Sequence, residues 1–200
     1  CAVPHFANYG QTRHPDVLSE QQRDRLLAAF PSDARGLRDR AIALCLLDLG
    51  LRAKEVIDLK VTDLDWSQSL LVVPAVKSNE GRRLPMPPHV ANALRAYIDN
   101  GRAGLTGNRL FLRHRSLVGK PFSLSGLRQT IRRAFRRCNF PKHWTGTHRL
   151  RHTFATRLYV SGADPKQIAD LLGHRDLQST DTYVQSDQAG LRALARPWPI

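Results

Sequence analysis

Apolar positions along this chain recur mostly at helical spacing and change to short alternating runs over one stretch before its midpoint. Ser19 followed by Gln22 is a capping-box signature, in which each side chain takes the other residue's backbone amide. It predicts a helix to about Phe30. Arg38 to Leu49 is apolar almost all round, with Ile42, Leu46 and Leu49 on its most buried stripe, so a central core helix is expected there, ended by Gly50. A further helix over Ala53 to Leu59 follows at once and puts Arg52 at a helix start. DLDW, SLLVVP and RRLPMP are then short runs rich in branched residues, parted by turn residues at Ser67–Gln68 and Ser78–Gly81. They predict a small three-stranded antiparallel sheet with Lys77 beside its second turn.

Pro88, suited to a first helical turn, opens a helix whose Val90, Leu94, Tyr97 and Ile98 share one face, and Gly101 to Gly107 reads as a loop. Ser125 to about Cys138 is strongly helical, with Leu127, Ile131, Ala134, Phe135 and Cys138 facing inward. Three helices are expected to close the chain: one capped by Thr147 and ended by Gly162, one opened by Asp164-Pro165-Lys166-Gln167 and ended by Gly173, and one carrying Tyr183. The expected fold is therefore mainly α with one small three-stranded antiparallel β-sheet. Residues 1–16 read as a linker or tail, 17–186 as the folded domain and 187–200 as a C-terminal tail.

Charge changes the picture. Lys and Arg number 31 against 17 Asp and Glu, a formal net charge of +14 on 200 residues. Such an excess repels itself and is usually kept for a polyanion, most often nucleic acid. The longest wholly apolar run, Ala41 to Leu47, is far too short to span a bilayer, and the opening residues have no signal-peptide pattern. Cys1, Cys45 and Cys138 form no CxxC pair or disulfide framework, which fits a reducing compartment such as the cytoplasm.

Against that background, Arg52, Lys77, His148, Arg151, His174 and Tyr183 fall in one order along the chain. Metal-free attack on a phosphodiester needs a nucleophile, positive charge on the non-bridging oxygens and a proton for the leaving oxygen. Arginine suits the second task because its planar fork donates paired hydrogen bonds and keeps its charge. Arg52 at a helix start gains from free backbone amides. Arg151 lies one turn beyond His148, so both side chains can address one anion. Lys77 can protonate a leaving hydroxyl, His174 can donate to phosphate, and Tyr183 is the nucleophile candidate of the set. Taken singly, each has a plainer reading: a solvated HxxR face, an Arg52 paired with Glu55 or Asp58, an ordinary turn lysine, a helix-end histidine, a packed tyrosine. His152, four residues after His148, evokes a zinc helix, but Arg149 stands where HExxH has its glutamate, so no metal site is expected.

The joint pattern resembles the tyrosine recombinase, or phage integrase, family. GLRAKEVIDL is similar to its first arginine box, VKSNEGRRLPMP to its lysine hairpin, HRLRHTFATRLYVSGADPKQIADLLGH to its second box, and STDTYVQ to its nucleophile segment. The resemblance implies that Tyr183 attacks the scissile phosphate to leave a 3′-phosphotyrosine and a free 5′-hydroxyl. Arg52 and Arg151 would clamp the non-bridging oxygens, Lys77 would protonate the leaving oxygen, and His148 would be acid/base partner. His174 would be a further phosphate donor, and Glu55 would orient Arg52 or His148. It implies no cofactor, metal or ATP, a homo-tetramer acting on paired sites in double-stranded DNA, and room for a directionality factor. It also implies that this chain is the catalytic half of a longer protein whose N-terminal helical domain completes a clamp on DNA. The LRALA stretch in the C-terminal tail would pack into a neighbouring subunit, or else fray.

Arg128, Arg132 and Arg136 repeat every four residues, with Arg133 and Arg137 in an adjacent row, opposite the apolar stripe of their helix. Five arginines without an acidic partner in that segment predict a phosphate-tracking face rather than a merely solvated one. Arg82, Arg83, Lys142 and Arg149 are weaker candidates for DNA contact. Two other readings stay open: a type IB topoisomerase-like nicking-closing enzyme, and a non-catalytic DNA-binding module.

Overall fold

The computed structural model describes residues 17–74, 81–144 and 146–173; the expected tails and the helix carrying Tyr183 lie outside them. The elements run α1 (Glu20–Ala28), α2 (Ala34–Leu47), α3 (Ala53–Asp58), a 3-10 turn (Val61–Asp63), β1 (Leu64–Asp65), β2 (Leu70–Val73) and β3 (Arg82–Pro85). There follow α4 (Pro88–Ala96), a π-type turn (Tyr97–Gly101), α5 (Leu124–Arg137), α6 (Thr147–Val160) and α7 (Pro165–Leu172). The sheet has the order β1-β2-β3, antiparallel throughout, with Leu71 opposite Leu64 on one side and Leu84 on the other. A mainly helical fold with one small antiparallel sheet is what the hydrophobic pattern predicts.

The central helix starts a turn earlier than its apolar run suggests. The Asp33 carboxylate accepts from the Gly36 amide at 2.7 Å and caps it, and the helix then packs so tightly on the preceding loop that a Cβ at Gly36 would lie 1.9 Å from the Pro31 carbonyl oxygen. From Ala41 to Leu47 every residue of α2 is buried, because α4, α5 and α6 all pack on it. Tyr97 closes one side of this core. Its ring stacks on Phe111 with centroids 5.6 Å apart, and its hydroxyl accepts from the Leu112 amide at 3.1 Å. Thr147, expected as a cap, is instead the first residue of α6, with Gly146 in the extended cap position. On α5 the expected inward residues Leu127, Ile131, Ala134, Phe135 and Cys138 are all buried. α7 packs mainly on a small cluster of Phe154, Ala155, Ile168 and Leu172, with its Leu171 against the main core.

One buried carboxylate ties these layers together at the end of α2. Asp48, whose side chain is fully buried, accepts from Arg23 of α1 at 2.6 Å, from Arg157 of α6 at 3.2 Å and pairs with His89 of α4 at 2.8 Å. Burial alone would raise its pKa, but the hydrogen bonds from His89 and Arg23 and the charges of Arg23 and Arg157 outweigh it, so the carboxyl titrates below its ordinary value. A carboxyl with a depressed folded pKa stabilises the fold above its unfolded pKa of about 3.9 and loses that contribution as pH falls through the folded value. We expect Asp48→Asn to cost on the order of 3 kcal/mol at neutral pH, because the half-buried Arg23 and Arg157 lose the buried carboxylate that joins them. In urea titrations the gap between wild type and variant should narrow below about pH 4; a gap independent of pH would refute this role.

Candidate active site

Gly50 is where the site begins. It follows α2 with φ of +61°, a left-handed conformation, and a Cβ there would lie 2.4 Å from the Phe154 ring and 2.8 Å from Leu172. Only glycine fits both demands, and the fit brings the chain before α3 into contact with α6 and α7. Arg52 and Arg151, nearly a hundred positions apart in sequence, meet across this junction.

Their common anchor is the C-terminal end of α7. Arg151 Nη2 donates to the Leu172 carbonyl at 2.8 Å and Arg52 Nη1 donates to the same oxygen at 3.2 Å. Arg52 Nη2 donates to the Gly173 carbonyl at 2.9 Å, and Arg151 Nη1 to the Gly50 carbonyl at 2.5 Å. The last carbonyls of a helix have no partner within it and carry partial negative charge, so two guanidinium groups satisfy them well. Arg151 is 4% exposed, and a charge so placed needs such acceptors. Arg52 remains 41% exposed at its side chain and keeps an open edge.

Glu55, one turn into α3, completes the local geometry. Its Oε2 accepts from the Arg52 amide at 2.7 Å and its Oε1 from Arg52 Nη1 at 3.1 Å. The amide that a helix start was expected to offer an anion is therefore already engaged. Glu55 also receives both terminal nitrogens of Arg82, at 3.1 and 2.8 Å. Burial would raise its pKa, but the hydrogen bond and charge of Arg82, with those of Arg52, bring it below the usual glutamate value.

His148 stands in the first turn of α6, exposed at the surface, with its ring edge toward His152 at 6.1 Å between centroids. Burial on its inner side, followed by the charges of Arg151 and Arg52, lowers its pKa. His152 is pushed down to about 4, chiefly by burial, with His148 and Arg149 adding to it. Among the described residues no three His, Cys, Asp or Glu side chains gather as a metal-ligand set.

The structure thus brings together Arg52, Glu55, His148 and Arg151 of the expected site. Lys77, His174 and Tyr183 lie outside the described residues. The expected DNA-contact residues divide. Arg128, Arg132, Arg133, Arg136 and Arg137 are all exposed and line a groove of about 1090 Å³ with Arg35, Arg38, Arg113 and Arg115. That groove is lined by the first turns of α2 and by the length of α5. Lys142 is exposed. Arg83 is 61% exposed and donates to Gln68 at 3.0 Å, and Arg149 lies over the Trp144 ring at 4.3 Å. Arg82 points inward, 11% exposed, contrary to the surface role expected of it. The pairing of Arg82 with Glu55, the Asp48 cluster and the carbonyl anchors on α7 were all missed by sequence reading. Only strand alternation, which sends Arg82 and Arg83 to opposite faces, held a signal for any of them.

Two carbonyl-anchored guanidinium groups beside a neutral imidazole form a fixed cationic site that can hold an oxyanion and exchange a proton with it. The chain belongs to the phage integrase family, whose model matches residues 16–189. It is 34% identical over 187 residues to the tyrosine recombinase XerD of Ralstonia nicotianae, covering 91% of this chain and 59% of that protein. The crystal structure of XerA recombinase superposes with a TM-score of 0.78 at 30% identity, covering 92% of this chain and 65% of that one. The Tn1549 transposon integrase, solved with transposon right-end DNA, gives a TM-score of 0.74 at 25% identity over 92% of this chain and 66% of its own. This chain therefore spans about three fifths to two thirds of these proteins, although it spans 96% of another relative, 33% identical, from Sinorhizobium fredii.

The cationic environment yields a titration prediction. In NMR the His148 ring should titrate below the ordinary histidine value of about 6.5, and in Arg52→Gln its midpoint should move up as one repelling charge is lost. A midpoint at or above the ordinary value in wild type would place the imidazole away from the two arginines.

Proposed function

We propose that this chain cleaves and rejoins duplex DNA as the catalytic domain of a site-specific recombinase. The observation that carries the reading is the convergence of Arg52 and Arg151 on the Leu172 carbonyl with His148 within reach of both charges. Membership of the phage integrase family supports it independently.

In this reading the two guanidinium groups hold the non-bridging oxygens of the scissile phosphate and supply positive charge as the pentavalent transition state forms. The Tyr183 phenol attacks phosphorus and its proton leaves; the bond to the 5′-oxygen breaks, and Lys77 protonates that oxygen. The product is a 3′-phosphotyrosine and a free 5′-hydroxyl. His148, neutral near pH 7, takes or returns a proton at the phosphate or the phenol, and His174, which follows Gly173 in the chain, donates a further hydrogen bond. Because one phosphodiester replaces another, attack by a different 5′-hydroxyl rejoins strands with no energy source. Strand exchange between two duplexes would employ four protomers. The exposed arginines of α5 and the groove beside them would track the backbone of the bound duplex.

The test is covalent trapping on a nicked duplex carrying an end of the source element, in low salt with EDTA. Wild type should form an adduct stable to denaturing electrophoresis. Tyr183→Phe should form none while binding DNA nearly as well, and Arg151→Ala should lose several kcal/mol, about 3, of transition-state stabilisation. No adduct from a protein that binds the duplex would sink the reading. For the α5 face, Arg132→Ala and Arg136→Ala should each reduce the slope of log affinity against log salt by about one; an unchanged slope would remove that face from the DNA.

A further inference from the structure

The geometry points to Arg82 as a positioning residue for the phosphate clamp, acting through Glu55 on Arg52 rather than on DNA. The inference rests on the reading of Arg52 given above. Arg82 opens β3, where it pairs with Val73 at the end of the β2–β3 ladder. Strand alternation turns Arg83 out to 61% exposure and Arg82 in to 11%. Glu55, itself 9% exposed, receives four N–H groups: two from Arg82 at 3.1 and 2.8 Å, the Arg52 amide at 2.7 Å and Arg52 Nη1 at 3.1 Å. Those four match the acceptor capacity of an ionised carboxylate.

Charge makes the arrangement more than a brace. Arg52 and Glu55 alone are a neutral pair, and a neutral pair has little attraction for a phosphodiester. With Arg82 the cluster carries one net positive charge, and the guanidinium that is still partly open is Arg52. Arg82 occupies one side of the carboxylate and leaves Arg52 a single side-chain bond to it. The other bonds of Arg52 go to the Leu172 and Gly173 carbonyls, which orient it. Without Arg82, the buried carboxylate would draw the Arg52 fork into a two-pronged pair and off α7. Arg82 Nε is buried and meets no partner among the described residues, so the side chain is held by its two bonds to Glu55.

The experiment compares wild type with Arg82→Met, Arg82→Lys and Arg83→Met as full chains. Hydrogen exchange at the Arg52 amide is measured on free protein, affinity and its salt slope on a mixed-sequence duplex, and adduct formation against pH on the nicked element end. We expect Arg82→Met to exchange the Arg52 amide about ten-fold faster, reflecting a weakened anchor. Affinity, carried mostly by contacts elsewhere on the duplex, should fall only about two- to three-fold with the salt slope nearly unchanged, and the rate from bound complex should fall about ten- to a hundred-fold. Its acid limb should move to higher pH, because Glu55 keeps its burial and loses its chief cation. Arg82→Lys should recover part of the rate, and Arg83→Met should leave the Arg52 amide exchange at its wild-type value. Weaker binding with a reduced salt slope and normal Arg52 exchange would overturn the inference in favour of a phosphate contact. A lower melting temperature with unchanged Arg52 exchange and pH profile would overturn it in favour of a plain structural role. Faster Arg52 exchange with an undiminished rate would uphold the link and overturn instead the assignment of Arg52 to the clamp.

Discussion

A single backbone oxygen, the carbonyl of Leu172, accepts from two arginines that the sequence keeps nearly a hundred residues apart. The site depends on that meeting. α7 is short and rests mainly on a small apolar cluster shared with α6, with only Leu171 against the main core, so burial contributes less to its docking than it does for α2 or α5. The orphan carbonyls at its end are satisfied by Arg52 and Arg151, which are themselves fixed by Glu55 and by Gly50. The helix end orients the guanidinium groups, and the guanidinium groups hold the helix end.

Preorganisation of this kind suits a reaction whose catalysis is largely electrostatic. A guanidinium bound to neutral carbonyls keeps its full charge, whereas one bound to a carboxylate has it cancelled. Arg151 donates to the Gly50 and Leu172 carbonyls, and Arg52 shares its carboxylate with Arg82. Both solutions keep positive charge beside His148, and both favour its neutral form. Charge elsewhere is spent differently. The Asp48 cluster neutralises its arginines to join α1, α2, α4 and α6, and the α5 arginines stand exposed along a groove.

Local signals in the sequence carried much of the fold. The Ser19–Gln22 capping box, the Asp164-Pro165-Gln167 start, the inward stripe of α5 and the three short strands all follow from contacts within a few residues, and all are present. Misjudged boundaries had non-local causes. The early start of α2 depends on close packing at Gly36, and the π-type turn after α4 brings Tyr97 to Phe111 and Leu112. At the site, the box motifs pointed to Arg52, Glu55, His148 and Arg151, which the fold gathers. They could not reveal the acceptors, because a carbonyl at Leu172 leaves no mark on residue type. The inward turn of Arg82 was not legible for a related reason: its partner Glu55 lies across the fold, and a basic residue beside another basic residue looks like surface.

In the proposed reaction Arg52, Arg151 and His148 together hold the phosphate at which strands are cut. A crystal structure of the Tyr183→Phe protein bound to a duplex containing its cleavage site would show this directly. One backbone phosphate should place its non-bridging oxygens within hydrogen-bonding distance of both guanidinium groups and the His148 ring, while Arg82 stays on Glu55. A duplex bound with its nearest phosphate away from this cluster, and both arginines still turned only to Leu172, Gly173 and Gly50, would contradict it.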